Sequence, residues 1–137
     1  MKHYKSLIIG SFRKHYNQMV DIIDIFNKNA IEVLSPREAI IINPEDEFVV
    51  FDYDPKDLSD KEIEDKVLEK MHNVDFVYLY NPGGYIGLSA SFEIGYCHAH
   101  GIKVYAFEES NELCFQYVDE VKKPHEVITL IKNSTGS

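Results

Sequence analysis

Glu93 is the residue of this 137-residue chain best placed to do chemistry, because it is an isolated carboxylate in a glycine-rich and apolar stretch. Residues 82–101 read PGGYIGLSASFEIGYCHAHG, and the runs 75–80 and 102–107 on either side are typical of buried strands. A glycine-rich turn that opens a helix between two strands is where open parallel sheets bind ligands. A carboxylate in a partly dry pocket can act as a nucleophile or a base. The sequence therefore predicts that Glu93 lies near the carboxyl edge of a sheet and faces a pocket.

Two strand-to-helix turns contain residues that could contact a substrate. Gly10, Ser11 and Arg13 follow the first predicted strand, where nucleotide-binding folds hold a ribose or a phosphate. Ser89 and Ser91 stand at the start of the helix after the glycine-rich turn. Either serine could cap that helix, or offer its hydroxyl to a ligand beside the free N–H groups of the first turn.

The elements that must position these residues alternate between strands and helices, which predicts an α/β domain with a mostly parallel sheet. We expect one domain over residues 1–137, with a frayed tail at 133–137. A capping box at Ser59 and Glu62 predicts the start of one helix, and Pro124 predicts the start of the last. Predicted strands cover 5–9, 31–34, 75–80 and 102–107, with an extended or edge segment at 48–51, and predicted helices cover 14–29, 60–72, 88–100 and 124–132.

Composition excludes several classes of function. A net charge of -9 and a pI near 5.0 argue against binding to a nucleic-acid polymer, which needs a basic surface. No apolar run approaches the roughly 20 residues of a membrane span, so no membrane partner is expected. Cys97 and Cys114 lack CxxC spacing and predict reduced thiols in a cytoplasmic protein. His98 and His100 point to different sides of a helix, so we expect no metal site and no cofactor.

Three segments of the chain together resemble a known enzyme family. They are the turn Gly10-Ser-Phe-Arg13, the strand that begins at Asp75, and Ser-Phe-Glu93-Ile-Gly-Tyr followed by Gly101-Ile-Lys-Val. The pattern resembles the nucleoside 2-deoxyribosyltransferase superfamily, which includes the 2′-deoxynucleoside 5′-monophosphate N-glycosidases. The resemblance runs from about residue 5 to residue 107, and its most specific part is Glu-x-Gly-Tyr-x-x-x-x-Gly-x-x-Val.

The resemblance implies a flavodoxin-like fold and an enzyme that cleaves or transfers the N-glycosidic bond of a 2′-deoxynucleoside or its 5′-monophosphate. Glu93 then matches the glutamate that attacks C1′ and forms a covalent glycosyl-enzyme, as in double displacement with retention. Ser11 and Arg13 match the turn on the sugar and phosphate side, while Ser89 and Ser91 would hold the 5′-hydroxyl or 5′-phosphate. The family also implies a homodimer or larger homo-oligomer, because neighbouring subunits often complete its sites.

Three positions depart from the family pattern. Six residues before the nucleophile the transferases carry Asp and the monophosphate glycosidases carry Ser, whereas this chain has Gly87. Eight residues before the Asp of the central strand the family carries an acid that protonates the leaving base, and this chain has Val67 there. Leu7 stands where the glycosidases carry a tyrosine. Carboxylates that could assist the leaving base instead are Asp52, Asp54 and Asp65.

Two other functions stay open from the sequence. Gly84 and its neighbours give the chain a flexible Pro-Gly-Gly loop that a ligand could approach closely. Lysine-decarboxylase-like phosphoribohydrolases carry PGGxGTxxE, but here Glu93 comes nine residues after Gly84. The third alternative is a nucleotide-binding sensor of the same fold without catalytic activity, which the departures from the family pattern favour.

Overall fold

Apolar runs of the sequence form a five-stranded parallel sheet in the computed structural model, which describes residues 3–36 and 58–135. Short 3₁₀ helices cover Pro82–Gly84 and Leu113–Tyr117. The other elements, in chain order, are strand β1 (Tyr4–Gly10), helix α1 (Phe12–Lys28), β2 (Ile31–Val33), α2 (Asp60–Met71), β3 (Phe76–Tyr80), α3 (Leu88–Ala99), β4 (Val104–Ala106), β5 (Glu120–Val121) and α4 (Pro124–Thr135).

The strand order is β2-β1-β3-β4-β5 with every neighbouring pair parallel, which is the flavodoxin-like order. Gly10 at the end of β1 pairs with Tyr80 at the end of β3. The direction of strand addition reverses between these two strands, and such sheets bind ligands at the carboxyl ends beside that reversal. The predicted fold class, an α/β sandwich with a parallel sheet of about five strands, is confirmed.

Helices cover both faces of the sheet. On one face α1 and α4 bury Phe26, whose ring lies 5.8 Å from the ring of Phe76 and 5.6 Å from that of Tyr78. On the other face α2 and α3 bury Met71 and Ile94 against the strands. Because α1 follows β1 and α3 follows β3, both helices begin at the carboxyl edge of the sheet, one on each face.

The capping box predicted at the start of α2 is confirmed. The Ser59 hydroxyl accepts a hydrogen bond from the Glu62 N–H at 3.2 Å, and the Glu62 carboxylate accepts one from the Ser59 N–H at 3.1 Å. Such reciprocal bonds satisfy two otherwise free N–H groups and fix where the helix begins. The box therefore fixes the start of the helix that contains Glu64.

The observed elements differ from the predicted ones in a few places. Helix α1 begins at Phe12, two residues earlier than predicted, so Arg13 lies in a helical turn. The strand Glu120–Val121 was missed because two exposed residues show no alternation of apolar and polar positions. Helix α4 runs on to Thr135, so it includes residues 133–135 of the tail that the sequence predicts to be frayed. The segment 48–51 lies outside the described residues. No helix within the described ranges is both long and apolar enough to cross a membrane.

Replacing Gly10 by Ala is expected to destabilise the protein by more than about 2 kcal/mol. Gly10 has φ +146°, and a Cβ added there would lie 2.5 Å from the carbonyl oxygen of Tyr80, its partner strand residue. Gly83 is the matched control, since it has φ +71° but an added Cβ there would have no atom of the described residues within 4 Å beyond its chain neighbours. For Gly83→Ala we expect only the conformational cost of about 1 kcal/mol. Urea denaturation compares the two, and equal losses would contradict the close approach at Gly10.

Candidate active site

Glu93 lies in the second turn of α3 and is 7% exposed. It shares the sheet-facing side of the helix with Ala90, Ile94 and Cys97, all of which are buried. Among the described residues four polar or charged side chains are buried, and Glu93 is the only ionisable one. It follows the N-cap Gly87 by six residues, which places it about 9 Å along the helix from the carboxyl edge of the sheet. Glu93 is thus a buried carboxyl group below the carboxyl edge of the sheet, and its orientation toward a pocket stays a prediction.

A second carboxyl group, that of Glu64 on α2, lies beside the carboxyl group of Glu93, close enough for a hydrogen bond between them when one carries a proton. A hydrogen bond between two carboxyl groups requires that one of them carries a proton, because ionised carboxylates only accept. Two buried like charges also repel each other strongly, so both groups cannot readily ionise together. The Glu64–Glu93 pair therefore retains a proton above the pH at which exposed carboxyl groups lose theirs.

The pKa values of both groups reflect this environment. Burial, and then the hydrogen bond and charge of Glu64, hold the pKa of Glu93 well above its usual range. Burial raises the pKa of Glu64, although its hydrogen bond with Glu93 opposes that rise. Burial also raises the pKa of the Cys97 thiol to about 12, with nearby Glu93 adding to the effect. Cys97 is thus a protonated core residue, while the carboxyl pair holds an exchangeable proton.

One oxygen of the pair has no hydrogen-bond partner. Glu64 Oε2 is buried and has no partner among the described residues. An unpaired polar atom away from water costs free energy, so such atoms in a native fold call for an explanation. A proton shared with Glu93, or a ligand group that donates a hydrogen bond, would satisfy this oxygen, which makes the carboxyl pair a candidate binding position.

The start of α1 is electrostatically suited to bind an anion at the carboxyl edge of the sheet. Ser11 is the N-cap of this 17-residue helix, and its side chain makes no capping hydrogen bond. The first turn contains no acidic residue, whereas Arg13 and Lys14 lie in it. Free N–H groups and the helix dipole favour negative charge at such an end. Lys14 Nζ lies 3.8 Å from the centre of the Tyr85 ring, so this turn and the glycine-rich loop are neighbours.

His15 is a second polar group near this edge. Its ring makes an edge-to-face contact with Tyr80 at 5.7 Å, and its buried Nε2 atom has no partner among the described residues. Burial, followed by the charge of Lys14, lowers the pKa of His15, so the ring is neutral near pH 7. Sequence reasoning missed His15 because it lies inside a predicted amphipathic helix.

The glycine-rich loop binds the chain's own carboxylates. The Gly83 N–H donates to Glu108 Oε2 at 3.1 Å, and the Ile86 N–H donates to Glu112 Oε2 at 2.7 Å. The Gly84 N–H donates to a backbone carbonyl in the same turn at 2.9 Å. An anionic ligand at this loop would therefore have to displace carboxylates, so the loop is a poorer phosphate site than the start of α1.

Gly84 is nevertheless required for the conformation of this loop. It has φ +85°, and an added Cβ would lie 2.9 Å from the Glu109 carbonyl oxygen. Buried Asn81 fixes the same connection, since its side chain donates to the Glu108 carbonyl at 2.8 Å and accepts from the Glu108 N–H at 3.0 Å. An open pocket of about 500 Å³ lies between residues 83–85 and 109–112. The lining residues of this pocket include neither Glu93 nor Glu64.

The predicted serines occupy different positions around α3. Gly87, not a serine, is the N-cap, and it has no side-chain cap. The Ser91 hydroxyl donates to the Gly87 carbonyl at 2.9 Å and lies 3.4 Å from Cys114 Sγ. Ser91 therefore faces the 3₁₀ helix Leu113–Tyr117, whereas half-buried Ser89 lies in the first turn. Among the described residues, a Cβ at Gly87 would meet the Tyr85 side chain, whose hydroxyl lies 3.9 Å away. A hydroxyl therefore lies beside the position at which the resembled family carries a polar side chain.

Glu64 is the site residue that sequence reasoning missed. The family pattern places the acid eight residues before Asp75, which is Val67 in this chain. The nearest acid to that position considered from the sequence was Asp65, which is exposed and paired with Lys61 Nζ at 2.7 Å. Asp52 and Asp54 lie outside the described residues. The available signal was the position of Glu64 on the apolar side of α2, four residues before Leu68 and seven before Met71. Within the part of the chain that the structure describes, no group of three or more His, Cys, Asp or Glu side chains is placed to hold a metal ion.

Comparisons with known proteins find solved structures of similar fold. The fold is similar to that of the Clostridium botulinum CMP N-glycosidase BcmB, with a TM-score of 0.60 and 12% identity over 95% of this chain and 98% of that chain. A conserved protein from Enterococcus faecalis V583 is similar with a TM-score of 0.67 and 15% identity over 97% of this chain and 99% of that chain. No protein-family model and no curated protein sequence matches the chain. The resemblance inferred from the sequence is thus confirmed at the level of the fold.

Proposed function

We propose that this protein cleaves or transfers the N-glycosidic bond of a 2′-deoxynucleoside or its 5′-monophosphate. The observation that carries the proposal is the pair formed by buried Glu93 and half-buried Glu64, whose carboxyl groups lie side by side. Its context supports the same reading, because a protein of similar fold is a CMP N-glycosidase. Two carboxyl groups with one retained proton supply both a nucleophile and an acid, which is what glycosidic bond cleavage requires.

In the proposed mechanism the retained proton, which Glu93 holds in the free protein, passes to Glu64 when substrate binds, leaving Glu93 as the carboxylate. A Glu93 oxygen attacks C1′ and forms an ester bond as the bond from C1′ to the base nitrogen breaks. The electron pair of the broken bond stays on the base, which takes the proton from Glu64. Glu64 then removes a proton from water, or from a second base, and that nucleophile displaces Glu93 from C1′. Two displacements at C1′ retain its configuration.

The start of α1 is the proposed site for the 5′-phosphate. Ser11 offers a hydroxyl free of capping and Arg13 lies in a first turn that lacks acidic residues. The N–H groups of the glycine-rich loop are less suited, because Glu108 and Glu112 already accept hydrogen bonds from two of them. These hydrogen-bond donors favour a phosphate site at the end of β1. They disfavour one at the Pro-Gly-Gly loop, the motif that this chain shares with phosphoribohydrolases.

The proposed preference for a phosphorylated substrate depends on Arg13. A charge-assisted hydrogen bond contributes about 1.5–3 kcal/mol, so Arg13→Ala is expected to lower kcat/KM for a monophosphate about 10- to 100-fold. The same variant should change kcat/KM for the matching unphosphorylated nucleoside by less than about twofold, since that substrate lacks the charge. Steady-state kinetics on the two substrates measure the ratio. An equal loss on both would contradict the assignment of Arg13 to the phosphate.

Base release tests the proposed activity. The protein is incubated with nucleosides and nucleoside 5′-monophosphates of each base, in ribo- and 2′-deoxyribo-forms and including CMP and dCMP, and free bases are separated by chromatography. We expect release from at least one deoxynucleoside or deoxynucleotide and no release by Glu93→Gln. Binding of a nucleotide without release by the wild-type protein would instead identify a non-catalytic sensor.

A further inference from the structure

The C-terminal ends of α2 and α3 bring three polar rings together, away from the carboxyl edge of the sheet. The ring centres lie 5.5 Å apart for His72 and Tyr96, 5.0 Å for His72 and His100, and 4.2 Å for Tyr96 and His100. Tyr96 Oη also lies 2.5 Å from His72 Nε2. Both histidines are exposed and Tyr96 is half-buried, so ions in solution can reach these three residues, here called the His–Tyr cluster.

The spacing of the two imidazole rings suits shared coordination of one metal ion. A tetrahedral zinc ion lies about 2.0–2.1 Å from each histidine nitrogen, which places the centres of two such rings about 5 Å apart. The centres of the His72 and His100 rings lie 5.0 Å apart. Exposed rings rotate rapidly, so their nitrogens can turn toward a common point. Because the Tyr96 oxygen lies beside His72, the cluster offers an ion two nitrogens and one oxygen.

Charge and donor type decide which ligand fits the His–Tyr cluster. His72 is the C-cap of α2 and His100 is the C-cap of α3, so the negative ends of two helix dipoles meet at the cluster and favour a cation. The net charge of -9 adds to that attraction. Ca²⁺ and Mg²⁺ prefer sites made of oxygen ligands, whereas imidazole suits Zn²⁺, Cu²⁺ and Ni²⁺. The donors therefore select a divalent ion of the zinc type.

A buried contact beneath the cluster fixes the two helix ends relative to each other. Met71 directly precedes His72, Cys97 directly follows Tyr96, and both are fully buried. Cys97 Sγ lies 3.6 Å from Met71 Sδ. The backbone positions of the three candidate ligands are thus set by the core, and an ion would not have to order the two helices in order to bind.

We propose that His72, Tyr96 and His100 bind a divalent metal ion of the class of Zn²⁺, Cu²⁺ and Ni²⁺. One nitrogen of each imidazole and Tyr96 Oη are its protein ligands, and water completes the coordination. The ion replaces the proton that Tyr96 shares with His72, and this proton passes to water. His100 follows Glu93 by seven residues, about 10 Å along α3, so the metal site is separate from the carboxyl pair. The ion joins α2 to α3 whether or not the protein is catalytically active.

Sequence analysis missed this site because its two histidines come from different helices. The expectation of no metal site rested on His98 and His100, which point to different sides of α3. The ring of His98 contacts that of Tyr117 instead, with the ring centres 4.8 Å apart. With two imidazoles and a phenol, the His–Tyr cluster also differs from the groups of three or more His, Cys, Asp or Glu that the described residues lack.

Equilibrium dialysis against ZnCl₂ at neutral pH tests the site. We expect the wild-type protein to bind one Zn²⁺ per chain with a dissociation constant below about 100 μM. His72→Gln and His100→Gln should each weaken binding at least about 10-fold, because even the outer-shell partner of a metal ligand contributes that much. His98→Gln is the matched control, since His98 is an exposed histidine at the same end of α3, and it should bind Zn²⁺ as the wild type does. Zn²⁺ binding that is undetectable at that concentration, or that survives in His72→Gln and His100→Gln, would overturn the proposal.

Tyr96→Phe separates a metal ligand from a ring that only packs on the histidines. The variant keeps the aromatic contacts and removes Oη, so we expect it to fold as the wild type does, by circular dichroism, but to bind Zn²⁺ about 10-fold more weakly. Thermal unfolding gives a second measurement, because an ion that binds the folded chain raises its melting temperature. ZnCl₂ should raise the melting temperature of the wild type and of His98→Gln but not that of His72→Gln. An equal rise in all three proteins, or an unchanged Zn²⁺ affinity in Tyr96→Phe, would contradict the assigned ligands.

Discussion

Replacing Glu93 by Gln is expected to lower kcat by at least about 10³-fold while leaving the protein folded. Glutamine preserves the shape of the buried side chain and can donate a hydrogen bond to Glu64, but its amide cannot form the glycosyl ester. Glu69→Gln is the matched control, because Glu69 is an exposed carboxylate on α2. That variant should keep wild-type activity. If Glu93→Gln released base at the wild-type rate, the assignment of the nucleophile would be wrong.

The same substitution is expected to stabilise the protein at neutral and alkaline pH. Because its folded pKa is raised, Glu93 binds a proton in the folded chain that the unfolded chain releases near pH 4.5. Its favourable contribution is therefore complete below that pH and is lost as the pH rises through the folded value. Glu93→Gln removes this loss, so we expect a gain of about 1–2 kcal/mol at pH 8 and little gain at pH 4. Thermal unfolding at the two pH values measures it, and a destabilised variant at pH 8 would contradict the burial argument.

Replacing Glu64 by Gln is expected to have the second large effect and to lower kcat about 10²- to 10⁴-fold. The variant keeps a hydrogen-bonding side chain beside Glu93 but has no proton to give to the leaving base. The loss should be smaller for substrates whose base leaves easily, because those need less assistance. Asp65→Asn is the control, since Asp65 is the adjacent acid but is exposed and paired with Lys61. We expect Asp65→Asn to retain activity within about twofold.

The pH profile of Glu64→Gln distinguishes an acid from a residue that only supports the fold. Removing a like charge next to Glu93 lowers the pKa of Glu93, because the ionised form is no longer opposed by Glu64. The acidic limb of the rate profile should therefore move to lower pH, and the alkaline limb due to Glu64 should disappear. A variant with lower activity but an unchanged profile would contradict the role of Glu64 as proton donor.

Part of this site could be predicted from the sequence because its signals are local. Glu93 stood out as one carboxylate between apolar neighbours, and Ser11 and Arg13 followed a predicted strand of a parallel sheet. The helix and strand patterns likewise predicted the α/β fold. The 3.6-residue spacing of apolar positions in a helix and the continuous apolar run of a buried strand can both be read from a short segment. Such features depend on a residue and its near neighbours in the chain.

The remaining features depend on packing between distant segments. Glu64 meets Glu93 only because α2 packs beside α3, and counting residues from Asp75 pointed elsewhere. The carboxylates that bind the N–H groups of the glycine-rich loop, Glu108 and Glu112, come about 25 residues later in the chain. The glycine pattern alone could not reveal that carboxylates of the same chain already accept hydrogen bonds from this loop. Side chains brought together by tertiary structure therefore changed the candidate for the acid, and they favour the start of α1 over the glycine-rich loop as the phosphate site.

Trapping the covalent intermediate tests the central claim most directly. A 2′-fluorinated nucleoside 5′-monophosphate, carrying a base that the wild-type protein releases, slows breakdown of a glycosyl ester because it destabilises the oxocarbenium-like transition state. Peptide mass spectrometry should then find the mass of one sugar phosphate on the peptide that contains Glu93, and no such adduct in Glu93→Gln. An adduct on a different residue, or stoichiometric base release by the wild-type protein with no adduct, would contradict nucleophilic attack by Glu93.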